Sequence, residues 1–591
     1  MSPDRPSKVS QGLTGTSRSQ YQPLSWRWLI LAISTGYLLA FVQEYFDSPW
    51  SIFRFAGIPS SADPPRPTCK HTFPVAFDIL EPDLSKVGEH LSILDSKLRI
   101  LASDERIDGL SVAVVTPSGS LFEGNYGLVK GNETTPAKRR KTTRDTVYRL
   151  ISLSKLITTV QTWILRDRGA LSWDDDVSKY ITELRTGKDR RISIQEVAAH
   201  TAGIPSNMPP GPMLGWPHDL RGAGTPPDNG LPFPERQAVL AAINDLPPMV
   251  PPGAYPVYSN TGFSLLGMVN VAADAANIGS SGSGEITHDK LVQRDIFDPL
   301  GMNSSGYHVS QVHKSRLAIP SNAPHEADWE FLDAMNPSGG CFSSLADLVR
   351  LMHSLLTTDS HHRVISSHSM KSWMRPLHPW YDDITEQGIL WEIRKYYNSW
   401  GQTQRIYQKY GQSAGYHTAF SINPSVNYGV IVLSTGSYFD TLNLTMEIIH
   451  TVQPAFDLFI DDSMRRLYEG RWSDADSETS GAQSEVIIRV DQGSIWVERI
   501  ILDGSDVLQL IQRKNDTERV PLWSTGRKEE FRFAFGVPSE NDQSGQGCLL
   551  YSFGMDIGYA RGAAINQIMF VGEADDRKLL VPSIAAALRR I

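Results

Sequence analysis

The chain has 591 residues, of which 40% are hydrophobic, 9% aromatic and 20% charged, a composition typical of globular proteins. Its 56 Lys and Arg residues against 65 Asp and Glu residues leave a formal net charge of −9, which argues against nucleic acid as a partner. Three cysteines are too few for a disulfide scaffold. Because the sequence lacks Cys-x-x-Cys, His-Glu-x-x-His and glycine-rich phosphate-loop motifs, we expect neither a metal nor a cofactor.

The N-terminal region predicts a membrane anchor. An uncharged apolar run over residues 28–42 follows a leader with four basic residues and one acid. This asymmetry places the leader, residues 1–27, in the cytosol, residues 28–43 in the membrane, and the rest of the chain in the lumen or outside the cell. The run is short, because about 20 residues are needed to cross a bilayer. A cleaved signal peptide followed by secretion, or a buried core helix, remains an open alternative.

Two further features agree with export. Cys69, Cys341 and Cys548 allow one disulfide in an oxidising compartment, although the sequence does not select the pair. Asn-x-Ser/Thr triplets mark candidate glycosylation sites at Asn132, Asn303, Asn443 and Asn515.

The body of the chain follows a proline-rich linker over residues 44–84 and extends over residues 85–455. Its apolar periodicity predicts, in chain order, a helix over 87–101, a strand from 109, a helix opening at Ser152, a loop over 205–234, helices over 259–275 and 343–357, and a hairpin over 416–434. The loop is rich in proline and glycine, and loops of that length are usually functional or disordered.

The C-terminal region, residues 456–591, differs in pattern from the body. Residues 485–490 and 494–499 alternate apolar and polar side chains on either side of an Asp-Gln-Gly turn, which is typical of a hairpin. We therefore predict a separate antiparallel β domain without a chemical motif of its own. Nothing in the sequence indicates an oligomeric state.

A Ser-x-x-Lys motif opens the helix at Ser152 and continues to Lys155. Residues three apart lie on the same face of a helix, so the amine would lie above the hydroxyl. A lysine can take the proton of a serine if burial and a second cation lower its pKa. The helix N-terminus would also stabilise an oxyanion formed at the serine.

Two more short motifs follow in the chain, Tyr258-x-Asn260 on a Pro/Gly-rich loop and Lys409-x-Gly411 before the hairpin. A second Tyr-x-Asn at 396–398 lies in a β-forming segment, and a second Lys-x-Gly at 86–88 precedes Ser152. We prefer Tyr258, because loops bring side chains into clefts. His200, at a helix end, is expected to have a structural role.

The ordered motifs Ser-x-x-Lys, Tyr-x-Asn and Lys-x-Gly resemble those of the serine β-lactamase and penicillin-binding protein superfamily. The sequence looks most like its class C-like branch, and in particular like the fungal β-lactamase-related proteins. The resemblance spans about residues 85–455 and includes a His-Thr-x-Gly segment ending at 203 and a Gly-Gly loop at 339–340. It implies an α/β (α+β) fold, an antiparallel sheet flanked by helices with an inserted helical lobe, followed by the small β domain.

The resemblance also implies a role for each motif residue. Ser152 would become acylated, and Lys155 with Tyr258 would relay its proton. The residues expected to bind substrate or support the reaction are Asn260, which would hold Lys155 and the substrate, Lys409, which would add positive potential, Gly411, which would keep the strand edge open, and Gln412, whose N–H would complete an oxyanion hole with that of Ser152.

One position departs from the pattern of the family. Tyr410 stands where relatives with β-lactamase activity often carry a Thr or Ser that helps to hold the substrate carboxylate, which puts recognition of penicillins in doubt. The expected function is hydrolysis of a small-molecule ester or amide. Transfer of the acyl group to an alcohol, as in fungal secondary metabolism, and a catalytically silent, membrane-tethered binding protein are the alternatives.

Overall fold

The computed structural model describes residues 84–185, 191–278, 286–357, 359–474, 483–512, 519–534, 555–573 and 576–591. The anchor predicted over 28–43, its leader and nearly all of the linker lie outside these ranges, as do Cys69, Cys548 and Asn515. Among the described helices, none is both long enough and apolar enough to cross a membrane.

A large antiparallel sheet forms the centre of the fold. In the described part of the chain, the strands before the C-terminal domain are β1 (Ile107–Thr116), β2 (Gly119–Gly127), β3 (Val147–Arg149), β4 (Phe342–Ser344), β5 (Pro376–Pro379), β6 (Thr385–Gly388), β7 (Glu392–Tyr397), β8 (Thr403–Gln412), β9 (Tyr416–Asn423) and β10 (Tyr428–Gly436). The sheet has the order β2-β1-β10-β9-β8-β7-β6-β5, while β3 and β4 form a separate ribbon. The pairing of β9 with β10 confirms the predicted hairpin.

Helices flank the sheet: one precedes β1, one follows β10, and the others lie in the chain between β2 and β5. They are α1 (Leu84–Leu101), α2 (Ser154–Asp167), α3 (Ile194–Ala198), α4 (Arg236–Asp245), α5 (Asn260–Ile278), α6 (His288–Val292), α7 (Asp298–Leu300), α8 (Gln311–Lys314), α9 (Leu332–Met335), α10 (Leu345–Leu356), α11 (Ser367–Trp373) and α12 (Thr441–Tyr468). Two π-helical segments, Gln293–Phe297 and Asn336–Gly340, and several 3-10 turns, including Ile151–Leu153, connect them. This arrangement confirms the predicted sheet with an inserted helical lobe.

Neighbouring residues of β10 show that helices cover both faces of the sheet. The ring of Tyr428 stacks on Phe456 of α12, with ring centroids 4.3 Å apart. The next residue, Gly429, faces Met352 of α10, whose side chain would overlap any Cβ at that position. Because successive residues of a strand point to opposite faces, α10 and α12 lie on opposite sides of the sheet.

Helix α2 runs through the main core. Its predicted apolar residues are buried, and they are Leu156, Ile157, Val160, Trp163 and Ile164. Gly169, just beyond the helix end, has a φ of 73°, the left-handed conformation predicted for a C-terminal cap. The polar residues on the other sides of the helix, up to Thr162, are buried too. The Thr158 hydroxyl, for example, donates to the carbonyl of Pro337 at 2.7 Å. The helix is therefore enclosed on all sides, which fixes the position of its N-terminus.

The C-terminal region forms a barrel, which confirms the predicted β domain. Its described strands are β11 (Gly470–Ser473), β12 (Glu485–Asp491), β13 (Ser494–Leu502), β14 (Ser505–Asp506), β15 (Val520–Ser524), β16 (Glu530–Phe533), β17 (Tyr559–Ala560), β18 (Ala563–Ala564), β19 (Gln567–Val571), β20 (Lys578–Val581) and β21 (Ala586–Arg590), with a short helix α13 (Val507–Gln512). Nine strands have the order β12-β11-β21-β20-β19-β16-β15-β13-β14 among the described residues. An additional pairing of β12 with β13 closes the ring.

The barrel contacts the preceding part of the chain at the turn between β7 and β8. The side-chain amide of Gln402 donates to the carbonyl of Gln492 at 3.0 Å. Gly493 lies against the ring of Trp400 so closely that a Cβ there would clash with it. Helix α12 continues across residues 455 and 456, where the sequence predicted a domain boundary, and ends two residues before β11.

Candidate active site

Ser152 lies in a strained turn rather than in the first turn of an α-helix. It is the middle residue of the 3-10 turn Ile151–Leu153, and α2 begins directly after this turn, at Ser154. Ile151 has a φ of 50°, a left-handed conformation that costs a β-branched residue about 1–3 kcal/mol. The carbonyl of Leu150 accepts a hydrogen bond from Thr418 of β9 at 2.9 Å. The turn is therefore held between the helical lobe and the sheet.

Lys155 is fully buried and its amine has three partners. Its Nζ donates to the side-chain oxygen of Asn260 at 2.7 Å and to the carbonyl of Ser338 at 2.7 Å. The third contact, at 3.2 Å, is with Oγ of Ser152. An ammonium donates all three hydrogen bonds. A neutral amine donates to the two acceptor-only oxygens and presents its lone pair to the Ser152 hydroxyl.

The electrostatics of the site lower the pKa of Lys155 and that of Tyr258. Burial is the main reason why the pKa of Lys155 lies below its ordinary value, and the charge of Lys409 lowers that pKa further. Burial of the Tyr258 phenol works to raise its pKa, but the ammonium groups of Lys155 and Lys409 outweigh burial and lower the pKa. The two nitrogens lie 4.9 and 5.1 Å from the ring centroid of Tyr258. Both groups are therefore candidate bases for Ser152.

His200, for which sequence analysis expected a structural role, packs against the ring of Tyr258. The two rings are 4.6 Å apart, and Nδ1 of His200 accepts the backbone N–H of Ser259 at 3.1 Å. Burial, followed by the charges of Lys155 and Lys409, keeps the pKa of His200 well below its ordinary value. The imidazole is therefore neutral and orients the Tyr-x-Asn segment without adding a charge.

Asn260 links Lys155 to the start of the loop over 205–234. It is the first residue of α5, and its amide donates to the side-chain oxygen of Asn207 at 2.9 Å. The neighbouring Thr261 donates its backbone N–H to the carbonyl of Ser206 at 3.0 Å. Sequence analysis missed Asn207, because an asparagine in an aperiodic loop carries no signal of its own.

Lys409 is paired with a carboxylate that sequence analysis also missed. The Nζ of Lys409, a residue 1% exposed on β8, donates to Oε1 of Glu392 on β7 at 2.6 Å. Burial disfavours the charged form of Lys409, but Glu392 outweighs burial and raises its pKa. The raised pKa favours the charged form of Lys409 beside Tyr258, and Glu392 balances that charge.

Gly411 lies where β8 passes the 3-10 turn Ile151–Leu153, which contains the predicted nucleophile Ser152 and is called the nucleophile turn below. A Cβ at this position would overlap the carbonyl oxygen of Leu150 and lie 2.9 Å from the backbone nitrogen of Leu153. This close approach gives a physical basis for the predicted role of Gly411 in keeping the strand edge open. Gln412, which pairs with His417 of β9, follows at the exposed end of β8.

Tyr410 does not reproduce the hydroxyl expected from the resemblance. Its Oη is buried and has no hydrogen-bond partner among the described residues. Burial raises its pKa well above the ordinary value, so the phenol is neutral. Because this oxygen is buried, it is not presented to a substrate carboxylate in the way that the short hydroxyl of the relatives would be.

The π-helical segment Asn336–Gly340 supplies backbone oxygens that no side-chain pattern could predict. The carbonyl of Ser338 accepts from Lys155, and the backbone N–H of Cys341 donates to Oγ of Ser154 at 2.9 Å. The predicted Gly-Gly loop is therefore part of the wall behind Lys155. Cys341 is buried and free, and burial raises the pKa of its thiol.

The rival motifs lie away from this cluster. Tyr396 is buried on β7, and the amide of Asn398 bonds to Gln402 at 2.8 Å at the far end of the strand. Residues 86–88 belong to α1. The structure therefore brings together Ser152, Lys155, Tyr258, Asn260 and Lys409. Of the predicted glycosylation sites, the described asparagines are all exposed, and they are Asn132, Asn303 and Asn443.

A hydroxyl in contact with a buried amine, beside a phenol and a second cation, defines a serine hydrolase type of site. The sequence profile of the family described as Beta-lactamase matches residues 94–452, more than half of the chain and all of these residues. The chain belongs to the β-lactamase family.

The chain is also similar to individual proteins. Beta-lactamase-like protein str6 of Strobilurus tenacellus is 33% identical over 305 residues, 51% of this chain and 97% of the relative. The D-alanyl-D-alanine-carboxypeptidase/endopeptidase AmpH of Escherichia coli (strain K12) is 27% identical over 262 residues, 43% of this chain and 59% of the relative. A crystal structure of a class C β-lactamase covers 63% of this chain and 98% of its own at 20% identity, with a TM-score of 0.48.

Proposed function

We propose that the protein is a hydrolase of esters or amides that acts through an acyl-Ser152 intermediate. The observation that supports it is the 3.2 Å contact between Nζ of Lys155 and Oγ of Ser152 inside a pocket that lowers the pKa of Lys155. Oγ attacks the acyl carbon, and its proton passes to Lys155 or Tyr258. The leaving alcohol or amine then departs with that proton, and water repeats the sequence to release the acid.

The developing oxyanion needs donors on the opposite side of the acyl group from the base. We propose the backbone N–H groups of Ser152 and Gln412, because Gly411 lets β8 approach the nucleophile turn. Lys409 keeps positive charge beside Tyr258, which favours its phenolate form. Asn260 holds Lys155 in the orientation in which the amine meets Ser152. Small esters are the simplest substrates, and the name of AmpH extends the class to amide bonds.

The test is intact-mass analysis after exposure to an alkyl fluorophosphonate. The wild type should gain one adduct and Ser152→Ala none, whereas Ser178→Ala, a change of a serine on a surface turn, should keep the adduct. A folded wild type that gains no adduct would contradict the enzyme and favour a catalytically silent binding protein. If added alcohol captures the acyl group faster than water does, the enzyme is an acyltransferase instead.

We also propose that the catalytic domain is tethered to a membrane by residues 28–43 and lies on the lumenal or outer side. The basic leader and the apolar run support the tether, and the exposed Asn132, Asn303 and Asn443 are accessible for glycosylation. Full-length protein from a eukaryotic host should stay in the membrane pellet after a carbonate wash. Release by carbonate would contradict the tether, and release with a shortened N-terminus would indicate signal cleavage.

A further inference from the structure

The loop over 205–234 is attached at both ends to residues next to Ser152. Its first part bonds to Asn260 through Asn207, and Asn260 in turn holds Lys155. Its last part stacks Phe233 on Phe331, with ring centroids 4.4 Å apart. Phe331 packs in one cluster with Ile151, the residue before the nucleophile. The loop therefore begins and ends at the walls of the candidate active site.

The middle of this loop is a closed sub-loop with an apolar surface. Gly211 and Gly222 approach so closely that a Cβ on Gly211 would overlap the carbonyl oxygen of Gly222. Between them four large apolar side chains are exposed, and they are Met213 (38% exposed), Leu214 (94%), Trp216 (65%) and Leu220 (64%). We call these four residues the apolar tip. Exposed apolar side chains grouped in this way mark binding sites in soluble proteins.

The charged groups of the sub-loop do not attract an ionic ligand. Arg221 is paired with Asp219 at 2.8 Å, so neither is an uncompensated charge. At its base, residues Pro205 and Met208 help to line a cavity of about 380 Å³ whose other walls are also apolar. The exposed surface of the sub-loop and the cavity at its base are therefore mainly apolar.

Among the described residues of the site, neither lysine is left as an uncompensated cation for a substrate carboxylate. The charge of Lys409 is balanced by that of Glu392. The amine of Lys155 is fully buried and hydrogen-bonded to three partners. Tyr410 replaces a short hydroxyl with a buried phenol. A substrate carboxylate would therefore lose its hydration without gaining an ion pair.

We propose that the apolar tip binds the uncharged, apolar acyl group of the ester that acylates Ser152. This inference rests on the proposed function and specifies its substrate class. The apolar acyl chain moves out of water and packs against the tip while Ser152 attacks the carbonyl carbon of the ester. A membrane surface is the other ligand that an exposed tip of this composition could contact, but attachment of both loop ends to the active-site walls favours the substrate.

The test compares p-nitrophenyl esters of increasing acyl length on the full chain. From acetate to octanoate, kcat/KM should rise about two- to fourfold per methylene, the range expected for apolar surface leaving water. Hexanoate should exceed the mono-p-nitrophenyl ester of adipic acid, which has the same chain length and a terminal carboxylate, by about tenfold or more. The double variant Leu214→Ser, Trp216→Ser should flatten the dependence on length, whereas Leu510→Ser, a change of an exposed leucine on α13 of the C-terminal region, should not.

Each outcome separates this inference from the proposed function. If p-nitrophenyl acetate does not acylate Ser152 and the fluorophosphonate does not phosphonylate it, the proposed function itself is wrong. If p-nitrophenyl acetate acylates Ser152 but kcat/KM does not depend on acyl length, the assignment of the apolar tip is overturned. The same holds if the double variant keeps the dependence on acyl length. It is also overturned if the double variant keeps the ester preferences but no longer binds phosphatidylcholine vesicles, because the tip then contacts a membrane.

Discussion

The carboxylate of Glu392 lies 2.6 Å from Nζ of Lys409, and the pair joins neighbouring strands beside the ring of Tyr258. Because the charge of Glu392 works to raise the pKa of Tyr258, Glu392→Gln should lower that pKa further. The acid limb of the kcat/KM profile should therefore move to lower pH.

The same substitution leaves Lys409 buried without its counter-charge, which should cost about 2 kcal/mol of unfolding free energy after allowance for the partial exposure of Glu392. The double variant Glu392→Gln, Lys409→Met should recover stability in chemical denaturation but not activity. An acid limb that stays in place in Glu392→Gln would contradict the electrostatic link to Tyr258.

The base that serves Ser152 should be visible in the pH dependence of acylation. The pKa values of Lys155 and Tyr258 are both lowered, so activity should be present above the lowered values and lost as pH falls through them. Tyr258→Phe should cut kcat/KM by about 10²–10⁴-fold. It should also move the limb to lower pH, because the charge of Tyr258 raises the pKa of Lys155.

Lys155→Met keeps the length of the side chain and removes its nitrogen. The rate of acylation in single-turnover experiments should fall about 10³-fold or more, since such groups act as a unit. Lys179→Met, a substitution of an exposed surface lysine, is the matched control. A Lys155→Met enzyme with wild-type acylation would show that the base lies elsewhere.

Gly411→Ala tests the close approach of β8 to the nucleophile turn. The added methyl would overlap the carbonyl of Leu150 and push the strand away from Ser152. A displacement of about 1 Å at such a site can cost about 100-fold in rate, so kcat should fall by that order while the circular dichroism spectrum is retained. At Gly88 an added Cβ meets nothing within 4 Å, and Gly88→Ala should leave kcat unchanged.

Asn207→Ala removes the acceptor for the amide of Asn260. A neutral hydrogen bond of this kind contributes about 1 kcal/mol, so kcat/KM should fall about five- to tenfold through a less ordered Lys155. Asn244→Ala, which breaks a comparable amide contact to Glu183 away from the site, is the control. Equal losses in the two variants would show a general effect on stability rather than on Lys155.

Stability should depend on pH through His288, whose burial lowers its pKa to about 4. The unfolded state binds this proton near the ordinary pKa of 6.5, so the contribution of His288 is complete above that value and is lost as pH falls toward 4. The loss amounts to about 3 kcal/mol. In urea denaturation, His288→Phe should weaken the dependence on pH, with His200 retaining part of it, and the exposed His361→Ala should not change it.

The sequence predicted those parts of the site that depend on local order. Ser152 and Lys155 are three residues apart in one turn, and the flanking loop and strand patterns placed Tyr258 and Lys409 on elements that could reach them. The helix start was predicted less well, because the 3-10 turn before α2 follows from the left-handed Ile151, a conformation that no apolar pattern reveals.

The residues that were missed depend on long-range placement. Glu392 meets Lys409 only because β7 and β8 pair with Glu392 opposite Gln408, and register between strands is not encoded in either strand alone. The oxygen of Ser338 belongs to the backbone, so no side-chain motif could mark it. Asn207 is recognised only once α5 and the loop are seen together.

The contact between Trp400 and Gly493 has a consequence for how this protein can evolve. Strand β8 runs without a break from the turn that contacts the barrel to Lys409. The contact with Gly493 holds the first end of this stretch, and the ion pair with Glu392 holds the second. A substitution in the barrel surface at this turn should therefore affect the candidate site at Lys409. At about 3.3 Å per residue, Lys409 lies more than about 20 Å from the turn along the strand. A chimera with a different C-terminal barrel should therefore keep the site intact only if the β7–β8 turn is exchanged with the barrel.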